Sequence, residues 1–252
     1  MIAFITGASS GIGAACARKF AQGGYDLILN ARNVERLEAL QTEIERAWGR
    51  RVLLLPFDVR DRVAARAAVE SLSTEWQGID VLINNAGLAL GLDKEYEGNE
   101  SDYDTMIETN ITALLMMTRL VVPGMVARGK GHIINIGSVA GDAAYPGGAV
   151  YCATKAAVKT LSDGLRMDLA PTPLRVTNIK PGLVETNFSV TRFHGDKERA
   201  DNVYKGITPL TGEDIADVAL YAASAPAHVQ VAEVLVLATH QASGSVVHRK
   251  SL

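Results

Sequence analysis

The segment Thr6-Gly7-Ala8-Ser9-Ser10-Gly11-Ile12-Gly13 decides the fold prediction, because it joins a short apolar run to an alanine-rich amphipathic stretch. The run Ile2–Ile5 predicts a buried strand, and the stretch near 12–22 predicts a helix. Glycines in such a turn permit a tight bend and a close approach of the backbone to a phosphate. The helix N-terminus adds free N–H groups and the positive end of the helix dipole. The turn therefore predicts a pyrophosphate-binding site, with an ordinary β–α turn as the alternative.

Strand-like and helix-like segments alternate along the rest of the chain. The apolar runs are rich in Val, Ile and Leu and mostly lack polar alternation, as strands buried on both faces do. This order predicts right-handed βαβ units in one doubly wound α/β domain of the Rossmann type over 1–252, with a seven-stranded parallel sheet and helices on both faces. The further strands are predicted at Asp26–Asn30, Val52–Phe57, Val81–Asn84, His132–Ile136, Arg175–Ile179 and Glu233–Ala238, and the further helices near 34–48, 61–76, 102–128, 150–169 and 213–224.

The stretch 182–211 has no clean strand or helix period. It follows the sixth predicted strand, at the carboxyl edge where open α/β sheets bind ligands. A long irregular segment in a compact α/β domain is more often a binding loop than a linker. We therefore expect a substrate lid there.

Composition excludes several classes of protein. The 252 residues carry a net charge of −3, which argues against a basic nucleic-acid-binding protein. We expect no membrane span, since no apolar run approaches the roughly 18 residues required, and no signal peptide, because the first predicted strand starts at Ile2. Two cysteines, Cys16 and Cys152, are too few for a disulfide framework and predict a reducing cytoplasm.

The end of the second predicted strand indicates which dinucleotide is bound. An Asp or Glu usually stands there to bind a free ribose 2′-hydroxyl, but this chain has Asn30-Ala31-Arg32-Asn33. A guanidinium at Arg32 suits a 2′-phosphate, and Ser9 in the glycine turn offers a hydroxyl. We therefore predict NADP(H) rather than NAD(H), the alternative being that Arg32 is a solvated surface charge.

Three further motifs make the pattern specific. They are Asn84-Asn85-Ala86-Gly87, Ser138, and Tyr151-x-x-x-Lys155. Together with the glycine turn, they make the whole chain resemble the classical short-chain dehydrogenase/reductase family. The resemblance implies a nicotinamide cofactor, an enzyme active on a CH–OH or carbonyl group, and a homotetramer or dimer.

The resemblance also implies a catalytic tetrad of Asn110, Ser138, Tyr151 and Lys155. Tyr151 and Lys155 share one helix face, so the ammonium is expected to lower the tyrosine pKa. Tyr151 then gives a proton to a carbonyl oxygen, or removes one from an alcohol, while Ser138 polarises the same oxygen. In the family the lysine also binds the nicotinamide ribose, and the asparagine supports a water that links the lysine to solvent. A structural role for each residue alone is the alternative.

Other positions match cofactor contacts of the family. Asp58-Val59 resembles the adenine-edge contact, although Asp58 also suits a helix N-cap or a turn. Pro181-Gly182-Leu183-Val184-Glu185-Thr186 resembles the segment that holds the nicotinamide carboxamide, with the Val184 backbone and the Thr186 hydroxyl as candidates. Asn85, Ala86 and Gly87 complete the predicted cofactor set. The five histidines show no ligand spacing, so no metal is predicted.

The substrate prediction comes from a narrower resemblance, to NADP-dependent 3-hydroxy acid dehydrogenases (acting on serine or malonic semialdehyde) and to sulfoacetaldehyde reductases. A small anionic aldehyde or hydroxy acid needs a cationic partner. Arg192, in the expected lid, is the first candidate, and Arg249, in its own subunit or a neighbour, is the second. The matching segments are 84–91, 122–126, 132–138, 191–196 and 247–249.

Other readings stay open. The loop Asp142-Ala143-Ala144-Tyr145-Pro146 departs from the hydroxy acid enzymes, and small residues at Ala143 and Ala144 would suit a bulkier sulfonate. A broad carbonyl or 3-oxoacyl reductase, and a nicotinamide-binding sensor without chemistry, are further alternatives. Subunit contacts by four-helix packing are expected on the helices near 102–128 and 150–169, through Leu114, Met117, Val121, Ala157, Val158 and Leu161.

Overall fold

The computed structural model describes residues 1–250. Its strands are β1 (Ile2–Thr6), β2 (Asp26–Asn30), β3 (Val52–Leu55), β4 (Ile79–Asn84), β5 (His132–Ile136), β6 (Arg175–Pro181) and β7 (Glu233–Val236). They form one parallel sheet in the order β3-β2-β1-β4-β5-β6-β7. The chain leaves β1 in one direction and returns beside it as β4, so the switch point lies between these two strands. The predicted doubly wound α/β fold is confirmed.

Helices cover both faces of the sheet. They are α1 (Gly11–Gln22), α2 (Val34–Trp48), α3 (Arg62–Glu70), α4 (Glu100–Ile107), α5 (Ala113–Arg128), α6 (Ala149–Asp168), α7 (Phe188–Arg192), α8 (Lys197–Asn202) and α9 (Gly212–Ser224). One apolar core joins α1, α2 and α9 to the sheet, with Phe20, Leu37 and Ile215 at its centre. A second core on the opposite face includes Met117 and Val176. Burial of both sheet faces explains why the strand sequences lack polar alternation.

Element boundaries differ from the predictions in a few places. The predicted helix 61–76 is only α3, whose N-terminus is capped by the Asp61 carboxylate, which accepts from the N–H groups of Val63 and Ala64. The predicted helix 102–128 is α4 and α5 joined by a π-helical turn, Glu108–Thr112. The stretch 182–211 is not wholly irregular, because it contains α7 and α8. Both helices are too short to show a clear sequence period.

The continuous helical stretch Glu100–Arg128 is long and apolar enough to cross a membrane by length and composition alone. The expectation that the sequence contains no such stretch was therefore wrong. Met117 and Val121 within it are buried against the sheet. Because a core helix of a globular domain meets the same two criteria, the match is weak evidence for a membrane span.

Most of the residues expected to contact a neighbouring subunit are buried within their own chain. Met117, Val121 and Val158 are each no more than 4% exposed, and Leu114 is buried as well. These four residues therefore leave little surface for a partner, whereas Ala157 and Leu161 are half-buried, and the expected subunit contact stays a prediction. On α4 and α5 the exposed apolar side chains are instead Ile107, Leu115 and Val126.

Candidate active site

A cleft of about 1070 Å³ opens at the carboxyl edge of the sheet. It extends from Arg32, beyond β2, to Arg192, at the end of α7. Most of the residues that the sequence singled out line it, namely Gly7, Ser9, Ser10, Gly11, Ile12, Arg32, Asn33, Asp58, Val59, Asn85, Ala86, Gly87, Ser138, Tyr151, Lys155, Pro181, Gly182, Val184, Thr186 and Arg192. The tertiary structure thus gathers residues 185 positions apart around one space.

The glycine turn is shaped to admit a phosphate group. Gly7 has φ +66° and Gly11 has φ +52°, a backbone region that favours glycine. A Cβ at Gly13 would collide with the carbonyl oxygen of Gly7, so this third glycine lets α1 start close to the strand. The N-cap Ser10 makes no side-chain capping bond, which leaves the first N–H groups of α1 available to an anion. The turn therefore fits a pyrophosphate.

Asn85 holds the glycine turn in place. Its Nδ2 donates to the carbonyl oxygens of Thr6 (2.9 Å) and Gly7 (3.1 Å). The Thr6 hydroxyl in turn accepts from the backbone N–H groups of Asn85 and Ala86. The asparagine motif after β4 thus ties two strand ends together at the switch point.

Arginines cluster at the far end of the cleft, where β2 and β3 finish. The Asp58 carboxylate accepts from the backbone N–H, Nε and Nη2 of Arg60 and lies 3.8 Å from Arg32. The hydrogen bond from Arg60 holds the pKa of Asp58 below its usual value. Asp61, not Asp58, caps α3, so the capping alternative for Asp58 was wrong. Arg36 also lines this end, one turn into α2.

Tyr151 lies in the first turn of α6 and is buried. Burial raises its pKa above the usual value, against an opposing effect of the Ser138 hydroxyl. Lys155 Nζ donates to the carbonyl oxygen of Ile136 at 2.8 Å and stands 6.0 Å from the Tyr151 ring centroid. Burial lowers the pKa of Lys155 to about 8. The pKa of Tyr151 is thus raised and not lowered as expected, because burial outweighs the opposing effects of the Ser138 hydroxyl and the Arg192 charge.

Asn110 lies in the π-helical turn and supports the site through the backbone. Its Nδ2 donates to the Leu88 carbonyl (2.8 Å) and to Thr154 Oγ1 (3.0 Å), while its Oδ1 accepts from the Leu88 N–H (2.9 Å). Thr154 Oγ1 donates onward to the carbonyl of Tyr151. The side chain of Asn110 thus joins the loop after β4 to the first turn of α6.

Arg192 occupies the end of the cleft near Tyr151. Its guanidinium carbon lies 5.4 Å from the Tyr145 ring centroid and 5.7 Å from that of Tyr151. Its Nε donates to the Gly91 carbonyl at 3.1 Å, and its own carbonyl accepts from the Gly91 N–H at 2.9 Å. Within residues 1–250, its buried Nη2 has no hydrogen-bond partner. A buried guanidinium nitrogen without a partner is costly and is suited to receive an anion.

Two substrate expectations are not met within this chain. The guanidinium of Arg249 donates to the carbonyls of Val203 and Lys205, just beyond the C-terminal end of α8. Arg249 therefore does not line the cleft. Ala143 and Ala144 are exposed and do not line the cleft either. The inference that their small size makes room for a sulfonate was wrong, because the loop turns only Tyr145 inward.

Sequence reasoning missed two basic residues of the cleft, Arg36 and Arg60, which stand near the predicted phosphate end. Arg36 lies in the first turn of α2, whereas Arg32 precedes that helix, so no helical spacing connects the two. Tyr145, from the loop 142–146 that the sequence singled out, stands beside Arg192. The position of its ring depends on Gly148, where a Cβ would overlap the ring.

Comparison with known proteins agrees with this geometry. The family model for short chain dehydrogenases matches residues 1–197. The chain belongs to the short-chain dehydrogenase family. An NADP-dependent 3-hydroxy acid dehydrogenase of Salmonella typhi is 48% identical over 251 residues, which is 99% of this chain and 100% of that protein. One of Schizosaccharomyces pombe is 47% identical over 247 residues, covering 98% of this chain and 95% of its own.

Solved structures of short-chain dehydrogenases superpose over nearly the whole chain. A closed form of a serine dehydrogenase in complex with NADP⁺ gives a TM-score of 0.92 at 43% identity, covering 99% of this chain and all of its own. The serine dehydrogenase of Escherichia coli gives 0.83 at 41% identity, with 96% of this chain covered and all of its own. Membership of the family and its fold therefore rests on sequence and on structure together.

Proposed function

We propose that the protein is an NADP(H)-dependent oxidoreductase that interconverts a short anionic aldehyde and its alcohol, most directly a 3-hydroxy acid and its semialdehyde. The observation that carries this proposal is the buried, unpartnered Nη2 of Arg192 beside Tyr151. The names of the relatives support the same substrate class.

The cofactor would lie along the cleft. The glycine turn and the start of α1 would hold the pyrophosphate, and Arg32 with Arg36 would bind the 2′-phosphate. Asp58, Val59, Asn85, Ala86 and Gly87 would line the nucleoside, and the segment 181–186 would hold the carboxamide. When bound, the nicotinamide supplies or accepts the hydride.

The proton transfer falls to Tyr151. Its hydroxyl donates a proton to the carbonyl oxygen during reduction and removes one from the alcohol during oxidation. Ser138, beside it, donates a hydrogen bond to the same substrate oxygen. Lys155 provides the buried positive charge behind the tyrosine, and Asn110 positions α6 through Thr154.

Arg192 would bind the substrate's carboxylate. Its Nε bond to Gly91 and the two aromatic rings hold the guanidinium in place. Because the Nη2 atom is buried, the side chains around it have to shift to admit the carboxylate. A neutral aldehyde would leave the Nη2 unpaired and would therefore bind less well.

Assembly and compartment belong to the same proposal. We expect a homotetramer, with a dimer as the alternative, through the exposed apolar side chains of α4 and α5 such as Leu115 and Val126. Both cysteines are free thiols, which suits a reducing cytoplasm. Sedimentation of a monomer at micromolar concentration would contradict the assembly.

The test is NADPH oxidation by the purified protein with malonic semialdehyde, sulfoacetaldehyde and propanal, and with NADH as the cofactor control. We expect at least one anionic aldehyde to exceed propanal about tenfold in kcat/KM, equivalent to ~1.4 kcal/mol of transition-state preference. Equal turnover of propanal would favour a broad carbonyl reductase. Preference for the sulfonate would move the assignment to a sulfoacetaldehyde reductase.

The variant Arg192→Gln tests the anion site directly. We expect it to raise KM for the anionic aldehyde by at least about tenfold while KM for propanal stays nearly constant, since a charge-assisted bond contributes ~1.5–3 kcal/mol. Arg199→Gln is the matched control, because Arg199 is exposed on α8 and does not itself line the cleft, although it stacks on the cleft residue Phe193. An unchanged preference for anions in Arg192→Gln would refute the anion site.

A further inference from the structure

Arg192 stands where it can act on the catalytic tyrosine as well as on the substrate. Its guanidinium carbon is 5.7 Å from the Tyr151 ring centroid, slightly closer than Lys155 Nζ at 6.0 Å. The two cations approach from different elements, because Lys155 is in α6 and Arg192 ends α7. Tyr151 therefore lies between two positive charges.

The two cations differ in their hydrogen-bond partners. Lys155 Nζ is bound to the Ile136 carbonyl, and this contact does not involve the substrate. Arg192 keeps a buried Nη2 that has no partner in the described part of the chain. A substrate anion that pairs with Arg192 cancels its charge at Tyr151, whereas a neutral substrate leaves that charge intact.

We infer that Arg192 sets the acidity of Tyr151, so that an anionic substrate, by neutralising Arg192, makes the catalytic hydroxyl less acidic than a neutral substrate does. This inference rests on the proposed function, because it takes the substrate's anion to bind Arg192. In this role Arg192 is a positioning residue that acts through Tyr151. The charge of the substrate thereby sets the strength of the acid that acts on it.

Several groups around Tyr151 affect its acidity, and Arg192 is one of those that increase it. The raised pKa of the tyrosine comes mainly from burial, and Arg192 opposes that effect together with the Ser138 hydroxyl. Tyr145 and Cys152 act in the raising direction. The remaining charged groups nearby are Lys155 on the same helix and the carboxylates of Asp93, Glu95 and Asp102, which line the small cavity shared by Tyr151 and Arg192.

The size of the effect follows from the separation. A unit charge at roughly 6 Å changes a pKa by about half a unit in water-like surroundings and by about two units at an effective dielectric constant near 20. Removal of the charge from Arg192 should therefore raise the pKa of Tyr151 by about 0.5 to 2 units. The Lys variant keeps the charge and should show most of the wild-type value.

The experiment replaces Tyr151 alone with a fluorinated tyrosine, whose greater acidity brings the titration into an accessible range, and follows its fluorine NMR shift against pH. It is run on the NADP⁺-bound protein for wild type, Arg192→Gln, Arg192→Lys and the control Arg199→Gln. We expect the pKa of the fluorinated Tyr151 to be raised in Arg192→Gln and to stay near the wild-type value in Arg192→Lys and Arg199→Gln. Equal pKa values in wild type and Arg192→Gln would overturn the inference.

A second measurement on the wild-type chain needs no Arg192 variant. Saturating propionate, an anion, should raise the pKa of the fluorinated tyrosine, whereas propionamide, its neutral counterpart, should leave it in place. An equal effect of the two ligands overturns the inference even if the Gln variant fails to fold. The proposed function fails separately, if propionate binds wild type and Arg192→Gln with the same affinity.

Discussion

His132, buried in β5, should make the fold sensitive to mild acid. Its Nε2 lies 2.8 Å from Thr177 Oγ1, and the Thr177 hydroxyl donates its own hydrogen to the Val231 carbonyl at 2.6 Å. The network therefore assigns the ring proton to Nε2, which leaves Nδ1 as a bare acceptor. Among residues 1–250, this buried Nδ1 has no partner. Protonation there would create a buried charge that nothing stabilises.

The magnitude follows from the shift of the pKa of His132. Burial, reinforced by the charge of Arg175, lowers that pKa to about 3 from the ordinary value of 6.5. The unfolded chain thus binds a proton that the folded chain refuses, so stability falls as the pH drops below 6.5. At pH 4.5 the loss from this residue is about 2–3 kcal/mol, and at pH 3 it is about 4 kcal/mol.

Urea unfolding at pH 7.0 and 4.5 measures this loss in wild type, in His132→Gln and in His228→Gln, whose histidine is exposed. Carboxylates titrate in all three proteins and cancel in the comparison. We expect wild type and His228→Gln to lose about 2–3 kcal/mol more than His132→Gln over this interval. Equal losses in His132→Gln and wild type would refute the reasoning.

Two further variants probe the supports of the cleft. Asn110→Ala removes one buried and two partly buried hydrogen bonds and should lower the free energy of unfolding by about 2–4 kcal/mol in urea titrations; a loss below about 1 kcal/mol would mean that the π-helical turn does not depend on this side chain. Arg32→Ala should raise KM for NADPH about tenfold while KM for NADH stays constant, because only NADPH presents a 2′-phosphate; equal changes for both cofactors would place the phosphate elsewhere.

Much of the fold could be predicted from the sequence, because strand burial and turn geometry leave a local pattern of residues. The mostly apolar character of β1 and β5 reflects burial on both faces, and the glycines of the turn permit its positive φ angles without help from distant residues. Predictions failed where contacts between distant parts of the chain determine the surroundings of a residue. Met117 and Val121 were expected to contact a neighbouring subunit but are buried against the sheet, since a sequence period shows that a residue faces inward but not what covers it.

The cleft shows the same division. The sequence alone determined the family motifs, the doubly wound α/β fold and the candidate side chains for acid–base chemistry, because these depend mainly on local patterns and spacing. Only the tertiary structure decided that burial raises the pKa of Tyr151, that Arg249 binds the carbonyls at the end of α8, and that Tyr145 and Gly91 hold Arg192 beside the Tyr151 ring. Those outcomes depend on distances between segments far apart in the chain, and electrostatic and desolvation energies depend on just such distances.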